Sequence, residues 1–153
     1  MNVRFEPIGV VKNRFAQKPP RGWEEVLSRV VVAERWAPAL EGLEEFSHVI
    51  VLFWLDRVHK DVSLRVRPRG RRDMAPVGLF ATRTPVRPNP IGLRVVELVS
   101  REGNVLTVRG LDALDESPVL DIKPYLPRGD CVAQARIPQW MRRRRPHPDA
   151  DPE

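Results

Sequence analysis

Apolar residues fall in short runs along this chain, and proline, glycine and charged residues separate the runs. Short runs that carry branched aliphatic and aromatic residues, bounded by turn residues, are typical of β-strands. In the run 47–55 both alternating faces are apolar, which predicts a strand buried on both sides. The predicted strands cover residues 4–14, 29–34, 47–55, 78–82, 91–99, 105–111 and 119–127.

One segment has a helical pattern instead. Between residues 36 and 46, the apolar residues Leu40, Leu43 and Phe46 would share one face of a short helix, with Pro38 near its first turn. Elsewhere, helical patterns do not alternate regularly with the strands, which argues against a doubly wound fold. The pattern therefore predicts a mainly β protein, a small β-barrel with short helices and irregular loops.

The predicted elements form a single domain over residues 1–139. A chain of 153 residues can bury a core of ordinary size in one domain. Residues 140–153 carry an arginine run followed by proline and aspartate, without an apolar pattern that could pack against the domain. We expect them to form a disordered, basic and proline-rich tail.

The stretch 77–96 stands at the centre of the pattern, because two predicted strands flank a proline-rich loop. The three prolines between residues 84 and 90 fix their own φ angles and donate no backbone hydrogen bond, so this loop should be stiff. Two interpretations remain open. It is either a rigid hairpin connection whose polar groups are only solvated, or a loop that holds Arg83, Arg87 and Asn89 in fixed positions for a ligand.

Cysteine and histidine are scarce, which limits the disulfides and metal sites that the chain can form and indicates its cellular compartment. Cys131 is the single cysteine and cannot form a disulfide within the chain, so we expect a reducing compartment, the cytoplasm. With only three histidines besides, we expect no metal site. The longest apolar run, residues 49–55, is far too short to cross a bilayer, and we expect neither a signal peptide nor a membrane partner.

Positive charge is concentrated in one part of the chain. The net charge is +6, and residues 65–94 contain eight arginines against one acid, Asp73. Arginine clusters bind anionic partners such as nucleic acid, whereas the alternative is a solvated loop in an arginine-rich chain. We prefer the first because the cluster flanks the proline-rich loop. The predicted RNA-binding residues are Arg67, Arg69, Arg71, Arg72 and Arg87.

Familiar nucleotide-binding and hydrolase motifs are absent. The sequence contains no Gly-x-Gly and no Gly-x-Ser-x-Gly, which excludes the dinucleotide fingerprint and the nucleophile elbow. Asp121 lies within an apolar run and would need a partner if buried, so a structural ion pair with Lys123 or an arginine is the favoured interpretation from the residues alone. His48, at the start of an apolar strand, is expected to be a buried core histidine. The polar residues at predicted strand ends are Asp56, Arg83, Asn89, Asp121, Lys123 and Tyr125.

Several motifs, in the order in which they occur, resemble one family. The chain is similar over residues 3–128 to the S-adenosylmethionine-dependent tRNA methyltransferases that methylate the exocyclic amine of threonylcarbamoyladenosine beside the anticodon. Each motif alone is weak evidence, but four in register are specific. They are Phe46-Ser47-His48, Phe80-Ala81-Thr82-Arg83, Arg87-Pro88-Asn89-Pro90-Ile91-Gly92 and Asp121-Ile122-Lys123-Pro124-Tyr125-Leu126-Pro127, and Pro7-Ile8-Gly9-Val10 and Leu40-Glu41-Gly42-Leu43 fit as well.

The resemblance implies a β-barrel donor domain, a homodimer, S-adenosyl-L-methionine as the cofactor and tRNA as the partner. Arg83 would pair with an anionic group of the donor, Asp121 or Asp56 would accept from ribose or ammonium, and backbone groups of 119–122 would read adenine. No catalytic residue is assigned, and the candidates are Asp56, Asn89 and Tyr125. The implied donor-binding residues are Leu55, Asp56, Arg83, Leu93, Val119, Leu120, Asp121 and Ile122.

Two segments depart from the family pattern. The first loop reads Lys18-Pro19-Pro20-Arg21-Gly22-Trp23, without the glutamine that members commonly carry, and the buried strand ends in Leu55-Asp56-Arg57 without their histidine. Donor binding is therefore better supported than the acceptor. Two alternatives stay open: the same donor-binding fold methylating a small molecule or another RNA, and a non-catalytic RNA-binding module.

Overall fold

The computed structural model describes residues 2–68 and 72–142. Within them the strands are β1 (Gly9–Lys12), β2 (Leu27–Val32), β3 (His48–Trp54), β4 (Arg65–Val66), β5 (Val77–Gly78), β6 (Ile91–Glu102), β7 (Val105–Arg109) and β8 (Pro118–Pro124). The helices are three short 3-10 segments (Glu34–Leu40, Leu43–Glu45 and Leu79–Ala81) and two single turns, α1 (Pro127–Asp130) and α2 (Gln139–Arg142).

Six of these strands close into an antiparallel barrel in the order β1-β2-β7-β6-β3-β8. The twelve residues of β6 are long enough to pair with β3 through their first part and with β7 through their second. The remaining strands, β4 and β5, pair only with each other and form a separate two-stranded ribbon. The prediction of a mainly β protein built on a small barrel is confirmed.

The barrel interior is packed with branched and aromatic side chains, one from every second strand position. On β3, Val49, Val51 and Phe53 are almost fully buried, and the residues between them lie on the outer wall. The diameter of a barrel grows with its number of strands, and side chains already fill the interior at about eight, so they also fill this narrower barrel of six. On the outer face of β3, Ile50, Leu52 and Trp54 are half-buried and His48 is exposed, so the prediction of burial on both faces was wrong.

Strand directions place the long connections at one end of the barrel. The loops 13–26, 55–90 and 110–117 all lie there, and we call this the loop end. The opposite end carries the segment 33–47 and the tight turn 103–104. Among the described residues no helix has the length and hydropathy needed to cross a membrane.

The stretch 77–96 is not a hairpin. Its first part pairs with β4 and then turns through the 3-10 segment Leu79–Ala81, while β6 pairs with other strands. Leu79 is buried and Phe80 is 77% exposed, so the apolar run 78–82 contributes one inward side chain from a turn. The strand predicted for 78–82 was wrong, because an apolar run this short fits a turn as well as a strand.

Two further expectations at the opposite end were wrong. The segment 36–46 forms two 3-10 pieces instead of one helix, because Pro38 lacks an N–H and Gly42 has a positive φ of 83° that ends the first piece. His48 is exposed and not buried in the core: its Nδ1 lies 2.9 Å from Oγ of Ser47, and its ring centroid lies 6.4 Å from that of Tyr125.

The chain beyond α1 is exposed until it reaches α2. Residues 126–139 are all exposed, whereas Trp140 and Met141 are half-buried in α2. Residues 143–153, the larger part of the predicted tail, lie outside the described residues.

Glycine at position 92 lets Phe53 close the interior at the loop end. The two residues are direct partners on β6 and β3, and a Cβ at Gly92 would lie 2.5 Å from Cε2 of the Phe53 ring. Real Cβ atoms do not approach a neighbour that closely, and the ring itself is held by the core. The glycine of the Pro-Ile-Gly motif therefore has a packing role.

We expect Gly92→Ala to lower the free energy of unfolding by about 1–3 kcal/mol through overpacking, measured by chemical denaturation. Gly78→Ala is the matched control, since nothing lies within 4 Å of a Cβ at Gly78, and it should be nearly neutral. Adding Phe53→Leu to Gly92→Ala should cost less than the sum of the two single changes. Strict additivity of the pair would contradict this account.

Candidate functional site

A cavity of about 580 Å³ opens at the loop end, above Phe53 and Gly92, and we call it the mouth cavity. It brings together three of the predicted donor-binding residues, Leu55, Arg83 and Leu93. All three long loops contribute to it, because barrel closure gathers their bases around one opening. Its lining residues are Lys18, Trp23, Phe53, Leu55, Arg83, Thr84, Pro85, Arg87, Ile91, Gly92, Leu93, Arg94 and Asp112.

The two arginines of the proline-rich loop have different surroundings. Arg87 Nη1 donates to the backbone oxygens of Thr82 at 2.9 Å and Thr84 at 3.3 Å, and its guanidinium lies over the Phe80 ring, 5.7 Å from the centroid. Arg83 makes no hydrogen bond or ion pair within the described part of the chain and lies exposed at the rim of the mouth cavity. Arg87 therefore braces the loop, and the guanidinium of Arg83 is available to a ligand.

Basic side chains outnumber acids in the mouth cavity. Lys18, Arg83, Arg87 and Arg94 line it against the single carboxylate of Asp112, which lies 4.0 Å from Arg94 Nη1. A partly enclosed wall with this excess favours an anionic group such as a carboxylate or phosphate. Among residues 2–68 and 72–142, no cluster of three His, Cys, Asp or Glu is placed to hold a metal ion.

The outer wall of the barrel links Leu93 with Asp121. Both pair with Leu52 from opposite sides, so the three residues form a row across β6, β3 and β8 on one face. With neighbouring strands about 4.8 Å apart, Leu93 and Asp121 lie roughly 10 Å from each other. A donor that reached from the cavity rim along this wall could contact both residues.

Asp121 already has partners within the chain. Lys123 Nζ lies 2.7 Å from its Oδ2, and its own neighbour Ile122 donates a backbone N–H to Oδ1 at 2.9 Å. The ion pair with Lys123 is thus confirmed. The Asp121 side chain is still 43% exposed, so the carboxylate remains accessible to a ligand from solvent.

The other β8 positions differ in what they can offer. Val119 is fully buried in the core and its backbone oxygen accepts from Ile8, so neither group faces a ligand. Leu120 is the extra residue of a bulge opposite Leu52 and Phe53, and β1 pairs with β8 only up to Val119. On the side that faces β1, the backbone N–H and C=O groups of residues 120–122 therefore have no partner in the sheet. The side chain of Ile122 packs against the core.

The three catalytic candidates are not brought together. Asp56 follows Leu55 in the turn after β3, and Asn89 is exposed just before β6, so both lie at the loop end. Tyr125 lies beside His48 at the opposite end of the barrel, and the seven-residue β3 separates the two ends by roughly 20 Å. Within one chain Tyr125 is therefore remote from the mouth cavity.

Of the predicted RNA-binding arginines, Arg67, Arg72 and Arg87 are described, and Arg69 and Arg71 lie outside the described residues. Arg67 is exposed on the ribbon and its Nε donates to the backbone oxygen of Met74 at 3.2 Å. Arg72 is exposed as well. Arg87 is only half-exposed, which leaves it less available to RNA than the other two.

Sequence reasoning singled out the first loop as a departure from the family pattern but missed how the loop is anchored. Trp23 is buried and stacks edge-on against Phe15, with 5.8 Å between ring centroids, and Asn13 Nδ2 donates to Ser28 Oγ and to the backbone oxygen of Ala113. The sequence signal for this anchoring was the presence of two aromatic residues within a polar loop.

A second cavity, of about 990 Å³, is lined by residues of the first loop and of β2. At its rim, the hydrogen bond with Glu116 raises the pKa of Lys12.

The family model described as the tRNA-methyltransferase O N-terminal domain matches residues 12–131. The chain belongs to this family. A crystal structure of TrmO from Pseudomonas aeruginosa superposes with a TM-score of 0.71 at 35% identity, covering 89% of this chain and 62% of that one. The predicted family and the predicted barrel are both confirmed.

Two curated relatives show the range of the TrmO family around this chain. It is 47% identical over 134 residues to an S-adenosyl-L-methionine-binding protein of Archaeoglobus fulgidus, covering 85% of this chain and 94% of the relative. It is 36% identical over 146 residues to the tRNA (adenine(37)-N6)-methyltransferase of Escherichia coli, covering 88% of this chain and 62% of that enzyme. The chain thus spans nearly the whole of the first relative and less than two thirds of the second.

The contrast between the two loop arginines gives a direct test. We expect Arg87→Ala to lower the free energy of unfolding by about 1.5 kcal/mol, since two carbonyls lose a charged donor. Arg83→Ala should stay within about 0.5 kcal/mol of the wild type, because no internal contact is lost. Chemical denaturation measures both. Equal effects of the two changes would contradict the division of roles.

Proposed function

We propose that this chain is a methyltransferase that transfers the methyl group of S-adenosyl-L-methionine to the exocyclic amine of threonylcarbamoyladenosine in tRNA, next to the anticodon. The observation that carries the proposal is that the family's donor positions Leu55, Arg83 and Leu93 line one cationic cavity. The similarity to the Escherichia coli tRNA (adenine(37)-N6)-methyltransferase supports the acceptor. A tRNA substrate and the single cysteine favour the cytoplasm as its compartment.

The mouth cavity fits such a donor in size, and its basic wall fits the carboxylate of the donor. Its volume of about 580 Å³ lies within the range of cofactor sites. The free guanidinium of Arg83 would bind the donor's carboxylate, Asp121 on the outer wall would accept from its ammonium or ribose hydroxyls, and the unpaired backbone edge at 120–122 would read its adenine. Leu93 and Leu55 supply apolar contact between these polar groups.

Positioning carries most of the catalysis in this proposal. When bound, S-adenosyl-L-methionine supplies an electrophilic methyl group, and its transfer to a nitrogen releases the neutral thioether and a proton. The protein has to hold the acceptor nitrogen in line with that methyl group, which a stiff loop and a packed cavity floor can do. Asp56 and Asn89 lie at the same end of the barrel: the carboxylate of Asp56 could accept the proton, and the amide of Asn89 could hydrogen-bond the acceptor, whereas Tyr125 of the same chain is too remote.

The alternatives differ in which acceptor is methylated and in whether the protein catalyses a reaction at all. The first loop lacks the family's glutamine and Asp56 follows β3 where members carry histidine, which keeps a different acceptor open. The relative from Archaeoglobus fulgidus is named only for donor binding. A non-catalytic RNA-binding module would need no donor site at all.

A methylation assay separates these possibilities. With donor and a tRNA that carries threonylcarbamoyladenosine, we expect the N6-methylated nucleoside in mass spectra of the digested tRNA.

Donor binding by Arg83 is tested with the variant Arg83→Lys, which keeps the charge but loses the planar guanidinium. Calorimetry should show donor affinity reduced about ten- to a hundred-fold at an unchanged melting temperature. Donor binding without tRNA methylation would favour another acceptor. No donor binding by the folded protein would contradict the methyltransferase.

We propose further that the protein is a homodimer that uses the outer wall of β6. Leu93 and Val95 point outwards there with 55% and 40% exposure, and Ile50 and Leu52 of β3 lie beside them. An apolar strip on a β-sheet face is typical of an interface. Because Leu93 belongs to both the strip and the mouth cavity, a partner on this wall would complete the donor site.

Val95→Glu tests the interface without touching a residue of the cavity. We expect it to convert the dimer to a monomer in sedimentation velocity, because a carboxylate would be buried without a partner. Val132→Glu is the control, since Val132 is 69% exposed in the chain after α1 and belongs to no barrel strand, and it should leave the dimer intact. A monomeric wild type, or a Val95→Glu dimer, would contradict this interface.

A further inference from the structure

A third cavity, of about 560 Å³, lies on the other side of the segment 82–85 from the mouth cavity, and we call it the ribbon cavity. Arg83, Thr84 and Pro85 line both cavities, so this segment is a shared wall. The opposite side of the ribbon cavity is formed by the ribbon strand β4 and the chain after it, and by the C-terminal turn α2. Its lining residues are Val66, Arg67, Pro68, Thr82, Arg83, Thr84, Pro85, Trp140 and Met141.

The ribbon cavity combines one large aromatic surface with cations. Trp140 is half-buried. Within the described residues Arg83 has no partner, and Arg67 makes one hydrogen bond, from Nε, which leaves its terminal nitrogens without a described partner. None of its described lining residues is acidic. An indole with neighbouring guanidinium groups is the combination that stacks a nucleobase and pairs with the adjoining phosphate.

The C-terminal turn is held at this cavity. The chain leaves α1 and stays exposed over residues 126–139, and burial resumes only where Trp140 and Met141 reach the ribbon. Pro138 precedes the turn, and its backbone oxygen accepts from Met141 N–H at 3.0 Å. The family model matches residues 12–131, and Trp140 lies after them. One wall of the ribbon cavity is therefore formed by residues outside the segment that the family model matches.

We propose that the ribbon cavity binds one nucleotide of the substrate RNA, with its base stacked on Trp140 and its phosphate held by Arg67. The proposal rests on the proposed tRNA methyltransferase activity. Because the segment 82–85 separates this nucleotide from the donor by one wall, the site would hold the RNA strand next to the base that is methylated. Trp140 and Arg67 are then positioning residues for the acceptor and not catalytic residues.

An anticodon stem-loop RNA is the probe for this site. Trp140→Ala should raise its dissociation constant about 5- to 150-fold, the range expected for loss of one stacked base. Trp140→Phe should retain most of the affinity, because a phenyl ring still stacks. Arg67→Gln should reduce the slope of log affinity against log salt by about 0.7, as expected for one phosphate contact on a single strand. Trp36→Ala is the control, since Trp36 is 38% exposed on a 3-10 segment at the opposite end.

Steady-state kinetics complete the test with readouts that a merely structural role would not produce. Trp140→Ala should raise KM for tRNA with kcat and donor affinity unchanged. Unchanged RNA affinity in Trp140→Ala, or equal losses in the alanine and phenylalanine variants, would overturn the site even if the wild type methylates tRNA. A wild type that binds the stem-loop through Trp140 but transfers no methyl group would instead overturn the proposed function and leave the nucleotide site standing.

Discussion

The filled interior of a six-stranded barrel decides where this protein can carry out chemistry. Valine, leucine and phenylalanine side chains occupy the space inside, so no ligand can bind there. Polar groups are left with the two ends and the outer wall. The long loops all emerge at one end, and the Phe53 ring over Gly92 closes the interior beneath them. The mouth cavity is therefore a consequence of closure: its floor is the last layer of the core, and its sides are the loops that closure gathers.

The same constraint explains which parts of the structure could be predicted from the sequence. Strand β7 alternates the inward Leu106 and Val108 with the outward Thr107 and Arg109, and that pattern survives in the fold because the strand pairs on both sides. The run 78–82 failed because five apolar or small residues fit a turn as readily as a strand, and tertiary contacts chose the turn that buries Leu79. The residues of the mouth cavity also fall into two groups, those that the sequence could predict and those that it could not. Arg83 and Leu93, which the motifs single out, line one cavity, whereas Trp23 and Asp112 reach the same cavity from distant loops that only the closed barrel brings near.

Charge counting identified the arginine-rich segment 65–94 but could not assign roles within it. Before β6 begins, the described residues of this segment pair only in the two-residue ribbon of β4 and β5, so many of their backbone oxygens have no ladder partner. Arg65 and Arg67 donate to carbonyl oxygens of residues 76 and 74 at 3.1 and 3.2 Å, and Arg87 donates to two carbonyls of its own loop. A guanidinium has five N–H groups, so an arginine can satisfy a carbonyl and still offer donors to a phosphate. Arg67 can therefore have a structural role and an RNA-binding role together. Arg83 differs, because it makes no hydrogen bond or ion pair with any described residue.

The segment 82–85 has to be rigid because it borders two sites. A flexible wall would let a ligand in one cavity change the shape of the other, and a displacement of about 1 Å at a reacting centre can cost a hundred-fold in rate. Rigidity here comes from within the loop: three prolines restrict its backbone, the guanidinium of Arg87 ties residues 82 and 84 together, and the Thr82 hydroxyl donates to the backbone oxygen of Leu79 at 2.7 Å. Because these contacts exist before any ligand binds, little ordering entropy remains to be lost on binding. The proline-rich motif therefore acts through pre-organisation, and the side chain that the loop leaves free, Arg83, is the one that both cavities share.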